Sequence, residues 1–310
     1  MKLTFRRFFS LFALTAAAVF CGMGSVVPVH ASDGHAVLGG SGVTVYFPQF
    51  LQGAAEEVAG FYPETRAAAE KVFGWDMDQD VSIVLVGESS SFELSAGTSE
   101  VVAFAVPARS LMVIDYWRLK SHPFTLRSVV MHELFHLLLH RHIPEGGLPL
   151  WFEEGVCQWA SDGLGEIISG GGGVLDFAVI RGDLLPFRFI ERSFPRDPVE
   201  MRLAYEQSKS VVVYLVDTYG RDALVEILNS MKNGKNFDAA LEDVLGISVR
   251  RLEEEWRGSL AGSALWLRFI GHHFYGLLFA FAAVLSIAGF MRVILRKRKA
   301  FREYEDEEAE

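Results

Sequence analysis

Residues 126–139 have the sequence LRSVVMHELFHLLL, which contains no proline or glycine and predicts a helix. His132 and His136 are four positions apart, so both imidazoles are expected on one face of this helix. Glu133 follows the first histidine directly. This spacing lets two neutral nitrogen ligands converge on one metal ion, while the carboxylate reaches water at that ion without coordinating it. The pentad therefore predicts a metal site, and zinc is the ion that such ligands favour.

A catalytic zinc site takes three protein ligands and keeps the fourth position for water. We expect the third ligand in the next predicted helix, residues 149–160, since Pro149 suits the first turn of a helix. The loop 141–147 is long enough to turn the chain back antiparallel. Glu154, about one and a half turns into this helix, would then face the two histidines. Adjacent helical residues point about 100° apart, so Glu153 and Glu154 cannot both be ligands.

Other side chains of these two helices are alternative ligands. His140 lies four residues after His136, which offers a second register, but no acidic residue follows His136, and this favours the pentad's own pair. Cys157 could bind zinc, although we expect it to be a buried core cysteine. Glu153 is expected either to be exposed or to contact a ligand side chain without binding the metal itself.

The body of the chain contains a run of predicted strands followed by a run of predicted helices, which predicts an α+β fold. Alternating or β-branched runs predict strands at 43–47, 81–86, 101–106 and 111–114. Helical spacing predicts helices at 53–73, 125–140, 149–160, 199–219, 221–232, 236–244 and 248–261. We therefore expect a small N-terminal β-sheet subdomain, residues 43–115, packed on a helical subdomain, residues 122–261. Either 101–106 or 111–115 is a candidate for a sheet edge that pairs with an extended peptide.

The pentad HELFH, followed shortly by PLWFEEG at residues 149–155, resembles the gluzincin metallopeptidases. The resemblance is strongest to the peptidase MA-like group, whose helices carry a W-hydrophobic-x-E-G motif. The resemblance covers most of residues 43–261, although the two motifs are much more specific than the rest of that range. It implies that the helical subdomain is zincin-like and that the chain is a zinc metallopeptidase.

The resemblance also implies a role for each motif residue. The glutamate before the glycine, Glu154, is the third ligand of one Zn²⁺ beside His132 and His136. Peptide-bond hydrolysis then uses zinc-activated water, with Glu133 as the general base. Relatives often place a tyrosine or histidine on a later helix to donate to the oxyanion, and Tyr205 lies in a similar A-Y-x-x-S segment.

The sequence departs from the thermolysin type at one position. Those enzymes place an aspartate four residues after the third ligand to orient a zinc histidine, whereas this chain has Gln158 there. The glutamine can accept a hydrogen bond from an imidazole N–H, but it brings no charge to the surroundings of the metal.

Both ends of the chain predict membrane targeting. Residues 1–31 have a basic start, an apolar centre and small residues before a cleavage site, as in a secretory signal peptide. The segment 269–291 contains no charged side chain and predicts one transmembrane helix. A basic cluster follows it, which predicts that the tail 292–310 is cytoplasmic and that the domain 32–262 is extracytoplasmic.

Charge and composition limit the partners of this chain. The 310 residues have a net charge of −10, and residues 32–291 carry 20 basic against 33 acidic side chains. Nucleic acid is excluded as a partner, because phosphate binding needs a basic patch. A peptide or protein substrate near the membrane is expected instead, and no organic cofactor is predicted.

Two other functions compete with the membrane-anchored peptidase. The first is a catalytically inactive zincin-fold scaffold or sensor at the membrane with structural zinc; the presence of a complete ligand set and a base favours the enzyme. The second is an intramembrane protease, and it is disfavoured because residues 129–139 are too short to span a bilayer.

Overall fold

The computed structural model describes residues 28–30, 35–87, 101–120, 125–161, 173–260 and 264–307. The described strands are β1 Pro28–His30, β2 His35–Gly40, β3 Val43–Pro48, β4 Val81–Val86, β5 Ala103–Val106 and β6 Leu111–Asp115. The described helices are α1 Gln52–Phe73, α2 Tyr116–Lys120, α3 Leu126–His142, α4 Leu150–Ala160, α5 Val174–Arg181, α6 Pro198–Tyr219, α7 Arg221–Lys232, α8 Phe237–Leu245, α9 Val249–Leu260 and α10 Ala264–Glu307. The predicted α+β class is confirmed.

The six strands form one mixed sheet in the order β1-β2-β3-β4-β6-β5. Strands β3, β4 and β6 pair in parallel, whereas β2 pairs antiparallel with β3, β5 with β6, and β1 with β2. Val45, Ile83 and Met112 are paired across the three parallel strands and are completely buried. Burial of each such side chain contributes about 1.5–3 kcal/mol. These three side chains belong to the hydrophobic core that the sheet shares with the helices.

The N-terminal edge of the sheet contains two strands that the sequence pattern does not predict. β2 pairs along its whole length with β3, although its sequence ends in two glycines, which are poor strand formers. β1 pairs with β2 and lies inside the segment predicted as a signal peptide. The remainder of that segment, residues 1–27 and 31, is outside the described residues.

Helices α1 and α3 lie on the sheet, and helices α2 and α4 to α9 extend the same core. Helix α4 is fixed by an aromatic cluster around Trp151, which is almost fully buried. Its ring centroid lies 4.4 Å from that of Phe187 and 5.3 Å from that of Phe237. Phe187 in turn contacts Trp256 of α9 at 5.5 Å. The tryptophan of the second motif therefore attaches α4 to the C-terminal helices and sets where the following glutamates point.

Helix α10 contains the one described segment that is long and apolar enough to cross a membrane. This segment, His273–Lys297, has a mean hydropathy of 2.3 and is not buried in the protein. It overlaps the predicted transmembrane segment 269–291, and the helix continues to Glu307.

Candidate metal centre

The start of α3 sets the register of the predicted metal-binding pentad. Thr125 accepts a hydrogen bond from the backbone N–H of Ser128, and the Ser128 hydroxyl accepts one from the backbone N–H of Thr125. Such reciprocal capping satisfies donors that a helix N-terminus otherwise leaves unpaired. The two histidines follow one and two turns later on one face of the same helix, as their spacing predicts.

The structure brings together the three predicted ligand side chains, His132, His136 and Glu154. The Nε2 atoms of the two histidines lie 3.3 Å apart. Glu154 Oε2, from α4, lies 3.7 Å from each of these nitrogens. Four donor atoms held about 2.0–2.1 Å from a tetrahedral zinc ion lie about 3.4 Å from one another. The three atoms therefore have the mutual spacing that one zinc ion requires.

Charge and hydrogen bonding at this position also fit a cation. Glu154 is only 9% exposed, and its Oε2 is buried without a hydrogen-bond partner in the described part of the chain. A buried carboxylate oxygen in this state is costly unless a cation or a donor meets it. The nearby Glu133 and Glu153 are buried too, so a divalent cation would offset a concentration of negative charge.

Glu133 lies beside the two histidines and is 6% exposed. Burial raises the pKa of its carboxyl group, the two histidines lower it, and the negative charges of Glu154 and Glu153 raise it further. A carboxylate in such surroundings holds a proton more readily than one in water, which suits a group that must accept and release a proton.

Glu153 makes contacts that the sequence pattern does not specify. Its Oε1 lies 2.7 Å from Nδ1 of His136 and 2.8 Å from Nε2 of His140. Burial favours the neutral acid, but these hydrogen bonds outweigh it and hold the pKa of Glu153 well below its usual range. The ionised carboxylate only accepts hydrogen bonds, so both imidazole nitrogens that face it carry protons. In the neutral form of His136, the proton on Nδ1 leaves Nε2 as the lone-pair donor where the other two donor atoms converge.

Nδ1 of His132, on the side of the ring away from the converging donor atoms, has different neighbours from Nδ1 of His136. His132 Nδ1 faces the Ser161 hydroxyl at 3.5 Å, and this hydroxyl already donates to the backbone oxygen of Cys157. Gln158 is 1% exposed, and neither of its amide atoms has a hydrogen-bond partner among the described residues. The hydrogen bond from an imidazole that the sequence allows for Gln158 is thus not made.

The other alternative ligands lie outside the cluster of donor atoms. His140 directs Nε2 to Glu153. Cys157 is completely buried, and burial raises the pKa of its thiol to about 12, so it is protonated at neutral pH. Its sulfur is not one of the converging donor atoms, which belong to His132, His136 and Glu154.

Gly155 explains why a glycine follows the glutamate in the second motif. A Cβ atom at this position would lie 2.3 Å from the backbone oxygen of Ser208 and 2.7 Å from Val212, both on α6. Only glycine therefore lets α4 and α6 approach this closely. Tyr205 is three residues before Ser208, on the same face of α6, so the close contact brings it toward Glu154.

Tyr205 lies in the electrostatic field of the site. Burial raises the pKa of its phenol, and the negative charges of Glu154 and Glu133 raise it further. The phenol, which is protonated at neutral pH even in an ordinary tyrosine, can act as a hydrogen-bond donor. Phe194 packs edge-on against the tyrosine ring, with centroids 4.8 Å apart, and limits its orientation.

Comparison with known families agrees with the two motifs. Residues 120–262, which contain α3, α4 and α6, match the family model described as the Peptidase MA superfamily. This segment is Peptidase MA-like. The resemblance predicted from the sequence is thus confirmed, and the match includes every residue of the candidate metal centre.

The chain is also similar to one curated protein, "Uncharacterized protein YhcO" of Bacillus subtilis (strain 168). The two are 21% identical over 203 residues, which is 60% of this chain and 59% of the relative. The chain therefore spans less than two thirds of that relative's length.

Two solved structures are similar at TM-scores below 0.5. Legionella pneumophila aminopeptidase A in complex with aspartic acid has a TM-score of 0.42 and 16% identity, over 75% of this chain and 27% of that one. An M1 zinc metallopeptidase mutant from Deinococcus radiodurans has a TM-score of 0.43 and 16% identity, over 76% of this chain and 51% of that one.

Proposed function

We propose that this chain is a zinc-dependent peptidase that is held at a membrane by α10. The observation that carries the proposal is the convergence of His132 Nε2, His136 Nε2 and Glu154 Oε2, beside the buried carboxylate of Glu133. The match of residues 120–262 to the Peptidase MA superfamily model supports the same activity. Zinc is the ion whose coordination number and ligand preference fit two imidazoles and one carboxylate.

The chemistry divides between the metal and the side chains around it. A zinc ion in this position would polarise the peptide carbonyl and lower the pKa of a coordinated water to about 7. Glu133 accepts the proton of the attacking water on its carboxylate and passes it to the nitrogen of the leaving amine. The hydroxyl of Tyr205 donates a hydrogen bond to the carbonyl oxygen while that oxygen gains negative charge.

The sheet provides a place for an extended substrate. Of the two candidate strands, β6 is paired on both sides, whereas β5 pairs only with β6 among the described residues. β5 also lies beside α3, which carries the pentad. We assign β5 as the edge to which a peptide adds, because unpaired backbone groups of an edge strand can bind an extended chain.

The membrane segment limits which proteins the site can reach. We assign His273–Lys297 as a single transmembrane span, with the basic tail in the cytoplasm and the peptidase domain outside. Substrates would then be peptides or proteins close to the outer face of the cytoplasmic membrane.

The experiment that tests the proposed activity is metal removal followed by reconstitution. The full-length chain, purified in detergent, is incubated with a mixture of peptides, and cleavage is followed by mass spectrometry. We expect cleavage that 1,10-phenanthroline abolishes and added Zn²⁺ restores. A well-folded, zinc-loaded chain that cleaves no peptide would contradict the peptidase and favour the scaffold.

Replacing Tyr205 with phenylalanine is expected to lower kcat by about 10²–10³-fold, the effect of losing one donor to an oxyanion. Zinc content should stay at the wild-type value, since the phenol is not one of the three converging ligands. Tyr214→Phe, which alters a tyrosine farther along α6, is the matched control and should leave kcat unchanged. Normal turnover in Tyr205→Phe would show that another group stabilises the oxyanion.

A further inference from the structure

We propose that His140 and Glu153 form a positioning pair, in which His140 holds the Glu153 carboxylate and this carboxylate orients the imidazole of His136. Neither residue of the pair is a metal ligand. The inference rests on the proposed zinc site and adds two side chains that act on the ligand His136 without touching the metal.

The geometry of the pair is specific. His136 and His140 are one turn apart on α3, and both direct a ring nitrogen to the same atom, Oε1 of Glu153 on α4. The two distances are 2.7 Å and 2.8 Å, which is typical of hydrogen bonds to a charged acceptor. One carboxylate oxygen thus connects the ligand imidazole to a second imidazole that lies outside the cluster of donor atoms.

The role of His140 follows from the freedom of a glutamate side chain. A carboxylate held by one hydrogen bond can rotate, and the orientation of the imidazole it supports then varies as well. The second N–H donor, from His140, fixes the position of Oε1. Because Glu153 is only 8% exposed, water has little access to supply this hydrogen bond instead.

The two predicted zinc histidines differ in this respect. Among the described residues, Nδ1 of His132 has one long contact, to the Ser161 hydroxyl at 3.5 Å, and the neighbouring Gln158 does not hydrogen-bond to it. Within the described part of the chain, the carboxylate that can orient a zinc histidine therefore lies beside Nδ1 of His136 and not beside Nδ1 of His132. A carboxylate in this outer position makes the imidazole a more basic ligand and fixes its tautomer.

The test measures Zn²⁺ affinity by competition with a chromophoric chelator, using the full-length chain in detergent. Glu153→Ala should weaken zinc binding by about 10–100-fold, the usual effect of removing an outer-shell partner. His140→Leu should weaken it by about tenfold, at the lower end of the same range. In the Glu153→Ala background His140→Leu should have no further effect, because its partner is absent.

Conservative variants separate positioning from general stability. His140→Gln can place an amide N–H close to the position of Nε2 and should restore most of the affinity. His140→Asn is shorter and should behave like His140→Leu, so it replaces that variant if His140→Leu fails to fold. His142→Leu is the matched control, because His142 is on the same helix and contacts the backbone oxygen of Asp76, not Glu153.

Two results would overturn the positioning pair. One is an unchanged zinc affinity in His140→Leu, and the other is an equal loss with and without Glu153. Both results can occur in a chain whose wild-type form binds zinc, so they leave the proposed function standing. A wild-type chain that binds no zinc would instead contradict the proposed function and the pair together.

Discussion

Replacing Glu133 with glutamine should reduce peptide hydrolysis by about 10²–10⁴-fold or more, the range attributed to a positioned proton acceptor. The amide has nearly the same shape as the carboxylate but cannot accept the proton of the attacking water. The zinc content should stay at the wild-type value, because Glu133 is not among the three converging ligands. Initial rates on a peptide that the wild-type chain cleaves, together with elemental analysis, measure both quantities.

A matched control for this variant is Glu145→Gln, which makes the same chemical change at an exposed glutamate in the loop between α3 and α4. It should leave both the rate and the zinc content unchanged. If Glu133→Gln kept full activity, another group would be the base. If it lost its zinc, Glu133 would be part of the ligand set and the assigned roles would be wrong.

Replacing Glu154 with glutamine should weaken zinc binding by more than about 100-fold, because a direct ligand contributes more than an outer-shell partner does. The amide oxygen is uncharged and is a poorer ligand for a divalent cation. Activity should be lost with the zinc. The dissociation constant for Zn²⁺ is the deciding measurement, and circular dichroism shows whether the helices persist.

The same Glu145→Gln variant is the control for this loss. Zinc binding of wild-type strength in Glu154→Gln would mean that the third ligand is Glu153, Cys157 or His140. None of these three belongs to the group of converging donor atoms, and Glu153 and His140 are hydrogen-bonded to one another.

The central parts of the site could be predicted because they depend on local spacing. Histidines four residues apart on a helix share a face in any fold. The choice of Glu154 over Glu153 as the third donor comes from the resemblance to the peptidase MA-like group, whose motif places a glutamate before the glycine. The structure brings these three side chains together, and it also shows what the glycine does. Gly155 permits the contact with α6 that carries Tyr205 to the site, a relation between distant segments.

The outer contacts could not be predicted because they depend on how α4 is rotated against α3. The sequence indicates only that Glu153 and Glu154 diverge, and it leaves Glu153 as exposed or supporting. Packing of Trp151 fixes the rotation and directs Glu153 to His136. The thermolysin-type pattern points to Gln158 for such a contact, but the amide of Gln158 makes no hydrogen bond within the described residues.

The order of the strands in the sheet also cannot be predicted from local sequence patterns. The four predicted strands are present, but their patterns do not indicate which one lies at an edge. Sheet order is a long-range property, and only the pairing of β6 between β4 and β5 assigns β5 to the edge of the sheet among the described residues. The strand β2 lacks a strong pattern of its own and depends on its pairing with β3.

The zinc content of the purified wild-type chain tests the central claim most directly. The full-length protein, expressed with zinc in the medium and freed of loosely bound metal by gel filtration, is analysed by elemental mass spectrometry against its amino-acid content. The three converging donor atoms of His132, His136 and Glu154 predict one zinc ion per chain. A folded chain that neither carries zinc nor takes it up on titration would contradict the account.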